Sequence, residues 1–159
     1  MKPIFEFDYK FNKYAMLSEI DRFKGECKAY EDPRHPPIYN FKLIKSDKLK
    51  VAQRETNKFL DFYQIKNKGS GRYYILDKNT DLGMHTDHNT TCSINAILNS
   101  NTAPITIEDQ DYHYSVAVLD TQKMHGVKNN NSERYLFKIS FFDLEYKELV
   151  EIVSHRKTT

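Results

Sequence analysis

Three side chains able to hold a metal lie within about forty residues of one another. His85 and Asp87 flank Thr86, and His125 follows forty residues after His85. In a strand, residues i and i+2 project from the same face, so the imidazole and the carboxylate are expected to point one way. Two imidazoles and one carboxylate on a single face leave three positions open on an octahedral ion. That donor set suits a non-haem iron(II) centre that takes up further ligands. The same three groups would also hold zinc and activate a water molecule. Nine residues after His125 comes Arg134, at the head of an apolar run. A cation inside a β-rich core is costly unless paired, and a guanidinium fork matches a bound carboxylate. Arg134 also follows the polar stretch 129–133, where it would equally cap a strand at the surface.

The elements that must position these groups fall into two textures. Residues 14–24 place Tyr14, Leu17, Ile20 and Phe23 at helical spacing, and the proline-punctuated stretch 31–37 cannot continue a helix. A stronger helix is predicted over 46–66, capped by Ser46 or Asp47, with Leu49, Ala52, Thr56, Phe59, Leu60 and Tyr63 on one face. The stretch 67–71, with two glycines, ends it. Short strands follow at 72–76, 84–87, 91–98, 105–107, 112–119, 125–127 and 134–142, separated by turn chemistry such as 77–83 and 99–104. That spacing is the pattern of a sandwich or barrel. Helical periodicity returns at 144–153. The expected organisation is one domain: a mainly helical part over 1–70, a strand-rich core over 71–143, and a helix and tail over 144–159.

Composition narrows the function classes. With 159 residues, 39% hydrophobic and 29% charged, the chain is long and apolar enough to bury a core. Twenty-one Phe and Tyr and no Trp favour pleated, half-buried surfaces. A net charge of +2 argues against an extended nucleic-acid groove. The charge is nevertheless uneven: residues 1–70 carry 15 Lys/Arg against 10 Asp/Glu, and residues 71–159 carry 9 against 12. A basic rim able to attract an anionic substrate is one reading of that asymmetry, and ordinary solvated faces are the other. Two cysteines without paired spacing suit a reduced compartment. The absence of an apolar leader or a run of about 20 apolar residues predicts a cytoplasmic protein without a membrane span.

The order His85-Thr86-Asp87, then 91–95 (TCSIN), His125-Gly126-Val127 and Arg134 nine residues on resembles the 2-oxoglutarate/Fe(II) dioxygenase superfamily, in particular its small stand-alone phage and marine-microbial members. The resemblance covers about 71–143. It implies a double-stranded β-helix, a jelly roll of cupin-like type, with flanking helices. It makes His85, Asp87 and His125 the Fe(II) ligands and sets Arg134 against the distal carboxylate of 2-oxoglutarate, with O₂ as the other cosubstrate. A tyrosine on the strand before the metal motif often assists that carboxylate; Tyr74 is the expected one and Tyr73 the reserve. Family members often carry Ser or Thr two residues after the Arg, where this chain has Leu136. Ser140 shares the Arg134 face by alternation but lies ~20 Å along the strand. Because Asp87 is present, the implied outcome is hydroxylation, or an oxidative demethylation that begins with hydroxylation, not the halogenation of relatives that lack this carboxylate.

Other polar residues carry weaker readings. His88 is expected to face away from His85 and Asp87, and His113 to be an exposed strand histidine. Asn95, in an apolar strand, must be hydrogen-bonded, as a cavity residue or as a structural crosslink. The stretch 120–122 reads as a turn, and His35 and His155 as loop and tail residues. The substrate remains open among a protein side chain, a small metabolite and a nucleobase, with the N-terminal third shaping access. A zinc-dependent hydrolase on the same ligands and an inactive binding module are the competing classes, neither of which needs Arg134 to hold 2-oxoglutarate.

Overall fold

The computed structural model describes residues 1–29, 41–44 and 48–155. Within them the two textures expected from the sequence form two antiparallel sheets and three helices. The strands are β1 (Ile4–Glu6), β2 (Cys27–Ala29), β3 (Lys42–Ile44), β4 (Gly69–Leu76), β5 (Leu82–His85), β6 (Cys92–Ile97), β7 (Ile105–Ile107), β8 (Gln110–Tyr112), β9 (Val116–Leu119), β10 (His125–Val127) and β11 (Arg134–Phe141). The helices are α1 (Lys13–Phe23), α2 (Lys50–Phe62) and α3 (Tyr146–His155). The larger sheet runs β1-β9-β6-β11-β4-β3-β2 and the smaller β5-β10-β7-β8. The core is therefore a double-stranded β-helix, the jelly roll implied by the sequence resemblance.

Strand parity sorts the large sheet's side chains. On β4, Tyr73 and Ile75 join the cluster under the helices, and Leu76 joins a second cluster between the sheets. On β11, Phe137, Ile139 and Phe141 pack toward the helices, and Arg134, Leu136, Lys138 and Ser140 line a cavity on the other side. On β6, Cys92, Ile94 and Ala96 face the helices while Asn95 lines the cavity. A strand buried on both faces must be read by parity, because hydrophobicity alone no longer marks the core face.

The helix layer is bound to the sheet by close approach and by one carboxylate. A Cβ at Gly71 would sit 1.9 Å from Thr56 Oγ1 and 2.9 Å from Phe137 Cζ, so only glycine lets α2 lie this close to β4. Glu19 of α1 is buried, and its carboxylate accepts hydrogen bonds from the Val51 and Ala52 amides (2.9 and 3.0 Å) and the Tyr73 hydroxyl (2.7 Å). It satisfies two of the orphan donors at the start of α2 from another helix.

Several expectations are corrected. The helix predicted over 46–66 runs only from Lys50 to Phe62; Leu49 occupies its N-cap position and makes no side-chain cap bond. Ser46, Asp47, His35 and the proline stretch 31–37 lie outside the described residues. The N-terminal part is not only helical, since β1, β2 and β3 extend the large sheet at both ends. The strand predicted over 112–119 is two, β8 and β9, with His113, Tyr114 and Ser115 between them. The strand predicted over 84–87 stops at His85. Among the described residues no helix is long and apolar enough to cross a membrane.

Replacing Glu19 by Ala strands two amides and a hydroxyl in the core. The expected cost is about 3 kcal/mol or more, read as a lower urea midpoint, with Glu19→Gln losing less because its carbonyl oxygen still accepts.

Candidate metal centre

The smaller sheet brings the two histidines together. His125 on β10 pairs directly with His85 on β5, and their rings lie 4.4 Å apart between centroids. Gly126 permits this pairing: a Cβ there would meet the Leu82 carbonyl oxygen at 2.7 Å and Met84 Sδ at 3.0 Å. Each ring is held through Nδ1, which lies 2.7 Å from the Gly83 carbonyl for His85 and 2.8 Å from the Lys123 carbonyl for His125. A carbonyl can only accept, so Nδ1 carries the proton and Nε2 is left to the cavity side. Such a partner on the far nitrogen is the usual way an imidazole is oriented toward a metal.

Asp87 reaches the same point from a loop, not from a strand. Its backbone amide donates to the Thr121 carbonyl at 3.0 Å, and the Gln122 side chain donates to the carbonyls of Asp87 and Thr90. Thr121 Oγ1 donates to the Thr90 carbonyl at 3.1 Å. The loop turns at Asn89, with φ 60°, a left-handed conformation that asparagine tolerates better than most residues. Residues 120–122 thus do more than turn the chain, because they fix the segment that carries Asp87.

The three ligand atoms converge. Asp87 Oδ1 lies 3.3 Å from His85 Nε2 and 3.2 Å from His125 Nε2, and all three fall within 4.8 Å of one another. Two atoms each about 2.1 Å from one ion are about 3.0 Å apart at a right angle and about 3.4 Å apart at the tetrahedral angle. Both separations from Asp87 fall in that interval, so the carboxylate stands to each imidazole as two ligands of one divalent ion would. Both histidines are buried, and the Asp87 side chain is 13% exposed.

Lys138 completes the electrostatics, and sequence reasoning missed it. Its Nζ lies 2.5 Å from Asp87 Oδ2, leaving Oδ1 to the histidines, and 5.5 Å from the centre of the Tyr74 ring. Burial would raise the Asp87 pKa, but the Lys138 charge holds it well below the usual carboxylate range. Burial would lower the Lys138 pKa, and the Asp87 charge instead raises it. The signal was parity: Lys138 is two steps of strand alternation beyond Arg134, on the same face.

A cavity of about 330 Å³ opens on this centre, between the sheets. Arg134 lines it, 5% exposed, and its Nη1 donates to the Ala103 carbonyl at 2.6 Å and to Asn101 Oδ1 at 3.2 Å. No carboxylate among the described residues pairs with it. Asn101 is oriented by the polar stretch 129–133, since its amide donates to Asn129, Asn130 and Ser132. Tyr74 also lines the cavity. Tyr73 does not; it is fully buried under the helices and donates to Glu19, so the reserve tyrosine is on the wrong face. Asn95 lines the cavity and accepts from Ser93 Oγ at 2.7 Å. His88 is exposed at the cavity mouth, because alternation no longer applies once β5 has ended. His113 and His155 are exposed.

Comparison with known proteins is informative at the level of fold. No protein-family model matches the sequence, and no curated protein does. Among solved structures, the chain is similar to a prolyl hydroxylase from Trichoplax adhaerens in complex with a fragment of the hypoxia inducible factor oxygen degradation domain, with TM-score 0.65, 11% identity, 98% of this chain covered and 86% of that one. It is similar also to a Pseudomonas putida prolyl-4-hydroxylase, with TM-score 0.61, 11% identity and coverage of 82% and 85%. A viral collagen prolyl hydroxylase from Paramecium bursaria Chlorella virus-1, in complex with 2-oxoglutarate, follows at TM-score 0.55, 9% identity and coverage of 88% and 96%. The structural likeness extends well beyond 71–143, into the N-terminal part and the last helix.

Two outcomes test the centre. Ala at His85, Asp87 or His125 is expected to lower Fe(II) or Co(II) affinity at least a hundredfold, measured by calorimetry on folded protein. In the metal-free protein, Asp87 is ionised at a lower pH folded than unfolded. Its contribution to stability is present above the ordinary carboxylate range and is lost as pH falls through the folded value. Lys138→Met removes the main cause of that depression, so the acid limb of a stability–pH profile moves to higher pH.

Proposed function

We propose that the protein is an Fe(II)- and 2-oxoglutarate-dependent oxygenase that hydroxylates its substrate. The observation that carries this is the meeting, in one cavity, of the His85–Asp87–His125 cluster with Arg134, a buried guanidinium that no acid of the described residues neutralises. A buried unpaired cation is destabilising by itself, and a dianionic cosubstrate resolves it. The fold shared with structures described as prolyl hydroxylases, one of them in complex with 2-oxoglutarate, supports the reading.

Bound Fe(II) would supply oxygen activation coupled to decarboxylation of 2-oxoglutarate to succinate, with His85, Asp87 and His125 holding the ion. The chain's own residues do the positioning. Gly83 and Lys123 carbonyls fix both imidazoles in the tautomer that offers Nε2. Lys138 holds one oxygen of Asp87, so the carboxylate offers the other. Arg134, steadied by Asn101 and the Ala103 carbonyl, takes the distal carboxylate of 2-oxoglutarate, and Tyr74 lies on the same wall. Leu76, Leu82, Ile105 and Val127 line the cavity with apolar surface that limits water around the reacting atoms. Asp87 occupies the position a halide would need, so hydroxylation is the outcome assigned.

A zinc-dependent hydrolase on the same ligands leaves Arg134 without a purpose. The discriminating experiment is an anaerobic titration with Fe(II) and then 2-oxoglutarate, followed by the visible charge-transfer band of the chelated cosubstrate. The expected result is a saturable band whose 2-oxoglutarate affinity falls at least tenfold in Arg134→Ala while Fe(II) affinity changes less than threefold. Tight zinc binding with no band in folded protein contradicts the reading.

A further inference from the structure

The cavity's charges do not balance, and the imbalance is localised. Of its lining residues, Arg72, Arg134 and Lys138 are cationic and Asp87 alone is anionic. Arg134 is assigned above to the cosubstrate, and Lys138 is engaged with Asp87. Arg72 is left over. Among the described residues it makes no hydrogen bond and no ion pair, and it is exposed to solvent where it lines the cavity.

Its place on the sheet is specific. Arg72 on β4 is the direct partner of Lys138 on β11, and Lys138 is in turn the partner of Asn95 on β6. Side chains directly opposite on one face lie about 4.5–5.5 Å apart at Cβ, where like charges destabilise the pair. The one acid lining the cavity, Asp87, pairs with Lys138 and not with Arg72. The next row on the same face is Ser70, Ser140 and Ser93. The hydroxyls of Ser70 and Ser140 line the cavity and have no side-chain partner among the described residues. One wall therefore presents a free guanidinium, a second cation behind it and two free hydroxyls, beside the apolar ring of Phe142, which is 46% exposed at the mouth.

We propose that Arg72, opposite Lys138 and beside Ser70 and Ser140, anchors a carboxylate of the substrate, so that the protein acts on a small carboxylate-bearing molecule or on a C-terminal residue. This rests on the oxygenase reading. The fork of one guanidinium matches the two oxygens of a carboxylate, and no helix N-terminus, the usual cradle of a phosphate, lines the cavity among the described residues. The charge count agrees. A divalent ion and a dianionic cosubstrate cancel, leaving the cavity with two excess positive charges for an anionic substrate. Its volume, about 330 Å³, lies at the lower end of the ~300–1,000 Å³ of small-molecule sites, which leaves room for one small residue beside the cosubstrate.

The test uses the anaerobic protein loaded with Fe(II) and saturating 2-oxoglutarate, so that Arg134 is already occupied. The probes are the L-amino acids and their N-acetyl derivatives, each against its primary amide, with perturbation of the charge-transfer band as the readout of binding. At least one carboxylate is expected to bind tenfold or more tightly than its amide. Arg72→Gln should reduce that preference to less than twofold, and Arg72→Lys should restore part of it. Preference for a free amino acid identifies a metabolite, and preference for an N-acetyl derivative identifies a peptide C-terminus; either upholds the anchor. Equal binding of acid and amide, no perturbation by any probe, or a preference that survives Arg72→Gln overturns it while the band itself leaves the oxygenase reading standing. Absence of the band removes that reading and the anchor together.

Discussion

β11 is buried on both faces, and its two-residue period divides the molecule. Every second side chain from Phe137 to Phe141 is fully buried against the helices. The alternate set, Arg134, Leu136, Lys138 and Ser140, faces the cavity. A one-residue slip of this strand would drive two cations into an aromatic core and expose three large apolar side chains to a polar cavity. Its pairing with β4 and β6 along most of its length makes that slip costly. Helix packing and cavity chemistry are thus set by the same register.

The small sheet depends on this frame. β5 and β10 are four and three residues long and supply the histidines, but they carry little core of their own. Lys138 reaches across from the large sheet to Asp87 and couples the two layers at the metal site. Asp87 is in contact with both histidines, with a lysine from the opposite sheet and, through its backbone, with the loop before His125. A carboxylate so held is pre-organised, which limits what metal binding must reorder.

Much of this was legible in the residues, and the failures have physical causes. The convergence of His85, Asp87 and His125 was legible because a second histidine on a later strand adds to the pair that flanks Thr86. Strand alternation alone does not bring His85 and Asp87 together: they converge although β5 ends at His85, because Thr121 and Gln122 hold the loop, a contact thirty-odd residues away in sequence. Tyr73 and Tyr74 were inseparable without the register, since both are aromatic and only parity distinguishes them. Lys138 was not legible because a lysine in a strand suits a solvent-facing position, and only the register of β11 places it against Asp87. β1, β2 and β3, three residues each, are too short for periodicity to reveal. The start of α2 was sought in a local cap, whereas Glu19 meets its amides from another helix, a relation no local pattern encodes.

The account stands on one claim, that metal and 2-oxoglutarate occupy this cavity together. The most direct measurement is a crystal structure of the protein prepared anaerobically with Mn(II) in place of Fe(II) and with 2-oxoglutarate. The account predicts one ion bound by His85 Nε2, Asp87 Oδ1 and His125 Nε2, with the distal carboxylate of 2-oxoglutarate on the Arg134 guanidinium. An ion held by those three residues with Arg134 still facing an empty pocket at saturating 2-oxoglutarate, or 2-oxoglutarate bound elsewhere, would contradict it.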